Sequence, residues 1–167
     1  MNEITVRNMN EADVTDVAEI HSKTFPRQSS SVEWIECNFR AFPRIQYFVI
    51  ECENRLVGFI QWIQKSGFRS EVVLELEQIG VLPIYQSKGY GRLLIERSVP
   101  LVRQQLESRG ASIRHILVTT RSDNVAQNLY ATSLGAEVEA TISNLYSTDE
   151  VLMIARDVDE QGRERRG

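Results

Sequence analysis

The chain has 167 residues, of which 42% are apolar and 25% are charged, and its net charge is −4. This length favours one domain, the apolar fraction is enough for a core, and the acidic balance argues against nucleic-acid binding, which usually needs a basic stripe. Two cysteines, Cys37 and Cys52, fit no disulfide or zinc pattern, so we expect buried thiols and no metal. With no signal-peptide pattern and no apolar run near the ~20 residues of a membrane helix, we expect a cytoplasmic protein that does not bind membranes.

The first part of the chain predicts a strand, two helices and a hairpin. Residues Ile4–Met9 alternate as a strand does, and Asn10 follows as the N-cap of a helix that runs to Phe25. Residues Ser29–Phe42 predict a second helix, capped by serine and ended before a proline. The segments QYFVIEC and RLVGFIQWIQ, joined by ENR, predict a β-hairpin.

The second part alternates strands and helices. Residues Glu71–Val81 predict a long strand, followed by a glycine-rich loop and a helix to about Ser108 that Pro100 should kink. Residues Arg114–Thr120 predict a buried strand, and Ser122–Leu134 a helix with Ser122 as N-cap and a glycine stop. AEVEATISNLY and EVLMIARDV predict two closing antiparallel strands.

The resulting order, β-α-α-β-β-β-α-β-α-β-β, predicts a mixed α/β fold with helices on the faces of a sheet. We expect a single domain over residues 1–157 and a polar, disordered tail over residues 158–167.

The segment YQSKGYG, between the long strand and the next helix, is a candidate anion site. The first N–H groups of a helix have no intrahelical acceptor, and glycine lets them come close to phosphate oxygens. Gln86, Lys88 and Arg92 add a donor and positive charge. The pattern is neither a Walker A loop nor a dinucleotide fingerprint. The alternative is a plain turn with glycines at positive φ.

Two glutamates on the long strand are candidates for a general base. Glu75 and Glu77 share one face with Val73 and Ile79, because successive strand residues point to opposite faces. Burial raises the pKa of a carboxyl group, which makes its carboxylate a stronger base for proton transfer. The strand therefore predicts a buried base, and the alternative is a solvated face.

The stretch IGVLPIYQSKGYG resembles the acyl-CoA loop of the GNAT superfamily of N-acyltransferases, whose pattern [QR]-x-x-G-x-[GA] is matched from Gln86 to Gly91. Downstream, NVAQNLYATSLGAEV resembles the second motif of that family, a tyrosine-bearing helix followed by glycine. In that motif Asp123 holds the slot of the family asparagine, and Asn124 comes one residue later. The order of elements also fits from about residue 4 to residue 157. The resemblance implies a mostly antiparallel sheet in which one parallel pair, the strands around Glu75 and Leu117, is splayed at one end.

The resemblance also implies an activity, acetyl transfer from acetyl-CoA to a primary amine. It implies that Glu75, or Glu77 through a water molecule, is the general base, and that Tyr130 protonates the leaving thiolate; the alternative for Tyr130 is a core tyrosine. A bulge at Gly80 would turn strand N–H groups toward the coenzyme. The implied coenzyme-binding residues are Ile79, Gly80, Val81, Gln86, Ser87, Lys88, Gly89, Tyr90, Gly91, Arg92 and Asn124.

The resemblance further implies that the acceptor lies against the first two helices and the closing hairpin, where Phe25, Trp34 and Tyr146 are candidate contacts. The closing hairpin is similar to that of RimI-like protein N-alpha-acetyltransferases. A peptide α-amine, with a pKa near ~8 against ~10.4 for lysine, demands less of the base. A small-molecule amine stays open as an alternative, as does a non-catalytic acyl-CoA-binding module, and we expect a monomer or homodimer. The lack of an acidic run argues against a polyamine.

Overall fold

The computed structural model describes residues 3–160. Short 3-10 turns lie at Glu11–Asp13 and Pro83–Tyr85. Among the described residues, no helix is long and apolar enough to cross a bilayer. The strands and helices are, in chain order, β1 (Ile4–Asn8), α1 (Val14–Thr24), α2 (Ser31–Phe39), β2 (Ile45–Cys52), β3 (Arg55–Gln64), β4 (Glu71–Val81), α3 (Tyr90–Glu107), β5 (Ser112–Arg121), α4 (Ala126–Leu134), β6 (Glu137–Ile142) and β7 (Glu150–Ala155).

The strands form a seven-stranded sheet in the order β1-β2-β3-β4-β5-β7-β6. The pairs β1–β2, β5–β7 and β6–β7 are antiparallel, and β4–β5 is parallel. Register in the parallel pair runs from Glu71 opposite Ser112 to Leu76 opposite Val118, whereas β4 continues to Val81. The predicted mixed α/β fold and its parallel strand pair are therefore confirmed. The pairing stops before the end of β4.

The chain divides into two compact units. The first comprises Met1–Trp62 and Gln78–Leu101, and the second Ile63–Glu77 and Val102–Gly167. A single domain over residues 1–157 remains a prediction. The largest fully buried side chains of the first unit are Ile35, Phe48, Ile50, Phe59, Ile60, Trp62, Leu94 and Ile95, and those of the second are Leu74, Leu76, Leu106 and Ile113.

The ends of the helices show which predicted caps form. Asn10 accepts a hydrogen bond from the Ala12 N–H at 3.0 Å and donates its own N–H to Asp13, so it caps the 3-10 turn that leads into α1. The predicted serine cap of α2 is wrong, because α2 begins only at Ser31, and Ser30, at a φ of 54°, makes no side-chain cap. Cys37 is exposed rather than buried, because it lies about 200° around α2 from Ile35, the buried residue of that helix.

Ser122 is not the cap of α4. Its N–H donates to the Asp149 carbonyl at 2.9 Å, which keeps Ser122 tied to the chain before β7. The helix starts four residues later at Ala126, whose N–H donates to Oδ1 of Asn124 at 2.9 Å. The predicted stop is confirmed, since Gly135 takes a left-handed φ of 70° after the last turn.

The predicted disordered tail begins inside an ordered segment. Residues 158–160 are helical, and the Asp159 carboxylate accepts hydrogen bonds from Arg103 Nε at 2.8 Å and from the Ile113 N–H at 2.6 Å. These charge-assisted bonds hold a segment whose composition alone indicates a tail. The rest of the predicted tail, residues 161–167, lies outside the described residues.

Candidate active site

The glycine loop leaves backbone N–H groups free at the start of α3. The first bond of the helix ladder runs from the Leu93 N–H to the Gly89 carbonyl at 3.0 Å. The N–H groups of Tyr90, Gly91 and Arg92 precede this bond and have no intrahelical acceptor. Gly89 has a φ of 83°, and a Cβ placed on it would meet no atom within 4 Å. The loop is therefore open to solvent at the point where a phosphate group would meet the helix end.

The side chains of the loop are partly engaged. Gln86 donates through Nε2 to the Val81 carbonyl at 2.9 Å, so it anchors the loop to the end of β4 instead of pointing a free donor at a phosphate. Nζ of Lys88 lies 5.5 Å from the centre of the Tyr85 ring. Ser87 is exposed at a φ of 60°. Arg92 is exposed and pairs with Glu96. The side chains of Lys88 and Arg92 therefore remain within reach of an anion bound at the loop.

Tyr90 points into the core. Its hydroxyl lies 3.6 Å from Sγ of Cys52, and the side chain is buried. Only its backbone can serve a ligand at the loop.

Gly80 is required by close packing. A Cβ on it would lie 2.7 Å from Oγ1 of Thr24 and 2.9 Å from the Phe59 ring. The register irregularity in the β4–β5 pair lies between Val72 and Val73, and this pairing ends at Leu76, before Gly80, so a bulge at Gly80 stays a prediction. Of the neighbouring coenzyme candidates, Ile79 and Val81 are half-buried.

The two glutamates of β4 share a face as predicted, but they are not buried together. Glu75 is half-buried and its Oε2 lies 3.0 Å from Nζ of Lys65. Glu77 is exposed, whereas Leu76 and Gln78 on the opposite face are buried. The expected burial of both carboxylates is therefore wrong. Glu75 has a cationic partner and Glu77 is open to solvent, so neither carboxylate lies in a low-dielectric site.

Tyr130 is buried on α4. It is 5% exposed, and burial raises the pKa of Tyr130 to about 12. Within residues 3–160 its hydroxyl takes part in no hydrogen bond. A buried phenol with this pKa stays protonated at neutral pH, so it is a donor there and not a base.

Asn124 organises the turn before α4. Its Nδ2 donates to Oγ1 of Thr120 at 3.0 Å, while its Oδ1 accepts the Ala126 N–H. Asp123, in the slot of the family asparagine, pairs with Arg121 through two 3.0 Å contacts. The coenzyme contact of Asn124 stays a prediction.

A buried polar network in the first unit was not expected from the sequence. His21 is completely buried, with Nδ1 2.8 Å from the Ser31 hydroxyl and Nε2 2.9 Å from Oε1 of Gln28. Gln78 donates to the same Gln28 oxygen at 2.9 Å and accepts from Trp34 Nε1 at 2.8 Å. A glutamine on the apolar face of β4 and a histidine on the apolar face of α1 were the signals available in the sequence.

The indole of Trp34 sets the polarity of this network, because an indole N–H can only donate. It holds Oε1 of Gln78 as the acceptor and turns the Gln78 amide nitrogen toward Gln28. The Gln28 oxygen then faces His21 Nε2, which must carry the proton, while Nδ1 accepts from Ser31. Burial lowers the pKa of His21, so the ring is neutral in this arrangement.

The acceptor candidates fall in both units. In the first unit, Phe25 stacks on His21 with ring centres 5.2 Å apart, so Phe25 and Trp34 both border the polar network. Tyr146, in the second unit, lies between β6 and β7 and is 78% exposed.

A sequence profile described as the acetyltransferase (GNAT) family matches residues 14–136, which is most of the chain. The chain belongs to the GNAT family. It is therefore a GNAT acetyltransferase, as its motifs indicate. A comparison with curated proteins found no match.

Solved structures share the fold of this GNAT acetyltransferase. The ribosomal-protein-S18-alanine N-acetyltransferase of Escherichia coli has a TM-score of 0.72 at 22% identity, covering 93% of this chain and 94% of that one. NAA60 of Arabidopsis thaliana, in complex with a bisubstrate analogue, has a TM-score of 0.73 at 16% identity, covering 91% and 97%. The spermidine N-acetyltransferase of Vibrio cholerae, in complex with CoA and spermine, has a TM-score of 0.72 at 19% identity, covering 92% and 95%. At these identities the likeness concerns the fold alone.

Proposed function

We propose that this GNAT acetyltransferase transfers the acetyl group of acetyl-CoA to a primary amine, with a peptide α-amine as the acceptor. The observation that carries the proposal is the start of α3, where three backbone N–H groups precede the helix hydrogen-bond ladder, next to a glycine at positive φ with open space around it. A helix N-terminus of this kind favours phosphate groups, which the coenzyme carries. The spermidine N-acetyltransferase of similar fold has CoA bound.

In this proposal the loop holds the coenzyme through its backbone. The N–H groups of Tyr90, Gly91 and Arg92 would bind pyrophosphate oxygens, and Lys88 and Arg92 would add charge. Gln86 has a supporting role, since its amide ties the loop to the Val81 carbonyl. Acetyl-CoA supplies an activated thioester, and the remaining steps belong to the side chains of this chain.

Glu75 is the proposed general base. One of its oxygens pairs with Lys65, which leaves the other oxygen to accept a proton. Glu77, exposed and ~6.6 Å further along the same strand face, is the second candidate, acting through water. An α-amine with a pKa near ~8 is already partly neutral at pH 7, so it suits a carboxylate that is partly solvated.

Tyr130 is the proposed donor to the leaving sulfur. With a pKa of about 12, Tyr130 holds its proton throughout the physiological range. Full transfer to a thiolate, whose conjugate acid has a pKa near ~8.5, would be unfavourable, because the pKa of Tyr130 lies about 3.5 higher. We therefore assign Tyr130 the role of a hydrogen-bond donor that stabilises negative charge on sulfur, while solvent supplies the final proton.

The choice of a peptide amine follows from the pKa argument and from the relatives. One protein of the same fold is named as an N-acetyltransferase of an alanine in ribosomal protein S18, while another is named for spermidine. The test is a screen for CoA release from acetyl-CoA with peptides, polyamines, aminoglycosides and amino acids as acceptors. Acetylation of peptide α-amines supports the proposal, and turnover confined to another class would overturn it.

A further inference from the structure

A cavity of about 550 Å³ lies in the second unit, at the turn between β3 and β4 and the beginnings of β4 and β5. Three cationic side chains line it, those of Lys65, Arg69 and Arg114, against one carboxylate, that of Glu71. Half-buried Val73 provides part of an apolar wall. The cavity is therefore locally basic, although the net charge of the chain is −4.

The two arginines are available to a ligand. Arg69 is exposed, its Nε donates to the Ser66 carbonyl at 3.0 Å, and no carboxylate pairs with it within residues 3–160. Arg114 pairs with Glu71 only at 3.5 Å, and both side chains are at least half exposed. An ion pair of this length and exposure contributes little, so an entering anion can replace Glu71.

His115 adds an imidazole donor. Its Nδ1 accepts the backbone N–H of Asp157 at 3.1 Å, so the ring proton lies on Nε2. Since His115 also lines the cavity, the site offers donors of three kinds: guanidinium, ammonium and imidazole N–H groups. Such a set matches a carboxylate, which only accepts hydrogen bonds.

The cavity is connected to the proposed base through Lys65 and β4. Lys65 lines the cavity and also contacts Glu75 at 3.0 Å. Val73 lies two residues before Glu75 on the same face, which corresponds to ~7 Å along a strand, and Glu77 lies a further ~7 Å on. An anion in the cavity and an amine near either glutamate are thus separated by roughly 7 to 13 Å.

We infer that this cavity binds an acidic side chain of the acceptor, an Asp or Glu among the first residues of the peptide whose α-amine is acetylated. The inference rests on the proposed function. The separation of roughly 7 to 13 Å is that of two to four residues of an extended peptide. Arg69 and Arg114 bind the carboxylate, and Lys65 is shared between it and Glu75. The same three cations repel a polyamine, so spermidine is excluded by charge.

The test uses tetrapeptides with a common N-terminal alanine and Glu, Gln or Lys at one of positions two to four. We expect the best Glu peptide to have a KM about tenfold below that of its Gln counterpart, a gain that charge-assisted hydrogen bonds supply. The double variant Arg69→Gln, Arg114→Gln should remove this difference, and Arg69→Glu should shift the preference toward Lys. Arg156→Gln, which removes an exposed arginine paired with Glu139, is the matched control and should keep it.

Binding of the same peptides, measured by calorimetry in the presence of CoA, separates the two proposals. Acetylation of all peptides with equal KM overturns the inference and leaves the proposed function intact. Tight binding of the Glu peptide without acetylation supports the cavity and overturns the function. A preference for Glu that survives in the double variant, with thermal melts matching the wild type, also overturns the inference.

Discussion

Nζ of Lys65 lies 3.0 Å from Oε2 of Glu75, so the proposed general base already has a cationic partner within its own unit. Lys65 is 41% exposed and Glu75 21%, which makes the pair partly solvated and worth about 1 kcal/mol or less. An amine can therefore compete for the carboxylate at small cost. The pair orients the Glu75 carboxylate before the acceptor arrives.

Replacement of Glu75 by Gln should lower kcat/KM at pH 7 by roughly 10²-fold, the low end of general-base contributions. The loss should shrink as pH rises, because more of the α-amine is neutral without help. A pH–rate profile between pH 6 and 9 with an acetylated peptide measures both effects. If Glu77→Gln shows this behaviour and Glu75→Gln does not, the base is Glu77.

The control for this pair of variants is Glu139→Gln, which removes an exposed strand glutamate paired with Arg156. It should keep the wild-type rate and profile. Wild-type profiles in both Glu75→Gln and Glu77→Gln would place the proton acceptor elsewhere.

Gly89→Glu should abolish measurable binding of acetyl-CoA, a loss of more than about 100-fold, while the protein stays folded. The new carboxylate would stand where phosphate oxygens meet the N–H groups of α3, and like charges repel. Calorimetry with acetyl-CoA measures the loss. Gly110→Glu is the control, since Gly110 also has a positive φ of 71° and open space around its Cβ position. Equal affinities of the two variants for acetyl-CoA would show that the loop is only a turn and does not bind the coenzyme.

Tyr130→Phe should lower kcat and leave the affinity for acetyl-CoA nearly unchanged, because the hydroxyl acts once charge develops on sulfur. The pKa of Tyr130 is about 12, so its proton is present from pH 6 to 9 and the fractional loss should be constant over that range. Its hydroxyl has no hydrogen-bond partner within residues 3–160, so thermal stability should change little. A loss that appears only at one end of the pH range would contradict this role.

Acid should destabilise the protein through His21. Burial lowers the pKa of His21 below the ~6.5 of an unfolded histidine, and its polar partners Ser31, Gln28 and Gln78 are all neutral. Between the two pKa values the unfolded state binds more protons, so the stabilising effect of neutral His21 is complete above pH ~6.5 and is lost as pH falls through the folded pKa.

Urea unfolding at pH 7.5 and pH 5 measures this effect. The free energy of unfolding should fall more steeply with acid in the wild type than in His21→Gln, by about 1.4 kcal/mol for each unit of pKa difference. His115→Gln, which changes the only other histidine of the sequence, should keep the wild-type slope. Identical slopes in wild type and His21→Gln would refute the prediction.

Local patterns in the sequence were sufficient for the elements and for the family motif. Alternation and the following Pro83 predict β4 with both of its observed ends, and Gly135 ends α4 as expected. The glycine loop is recognisable from the sequence because it needs positive φ and room around its backbone N–H groups. Residues that are adjacent in sequence meet both needs. These features depend on contacts within a few residues, so the order of amino acids determines them.

The partners of the polar side chains were decided by tertiary structure. Lys65 pairs with Glu75, Gln78 meets His21 57 residues away, and Asp159 binds Arg103. The basic cavity likewise joins the β3–β4 turn to the start of β5. Strand register and helix docking bring such groups together over long sequence separations, and hydrophobic periodicity specifies which face a side chain takes but not which residue it meets there. The sequence by itself therefore determined the fold class, the glycine loop and the shared face of the two glutamates, while tertiary folding decided which charged groups surround these glutamates.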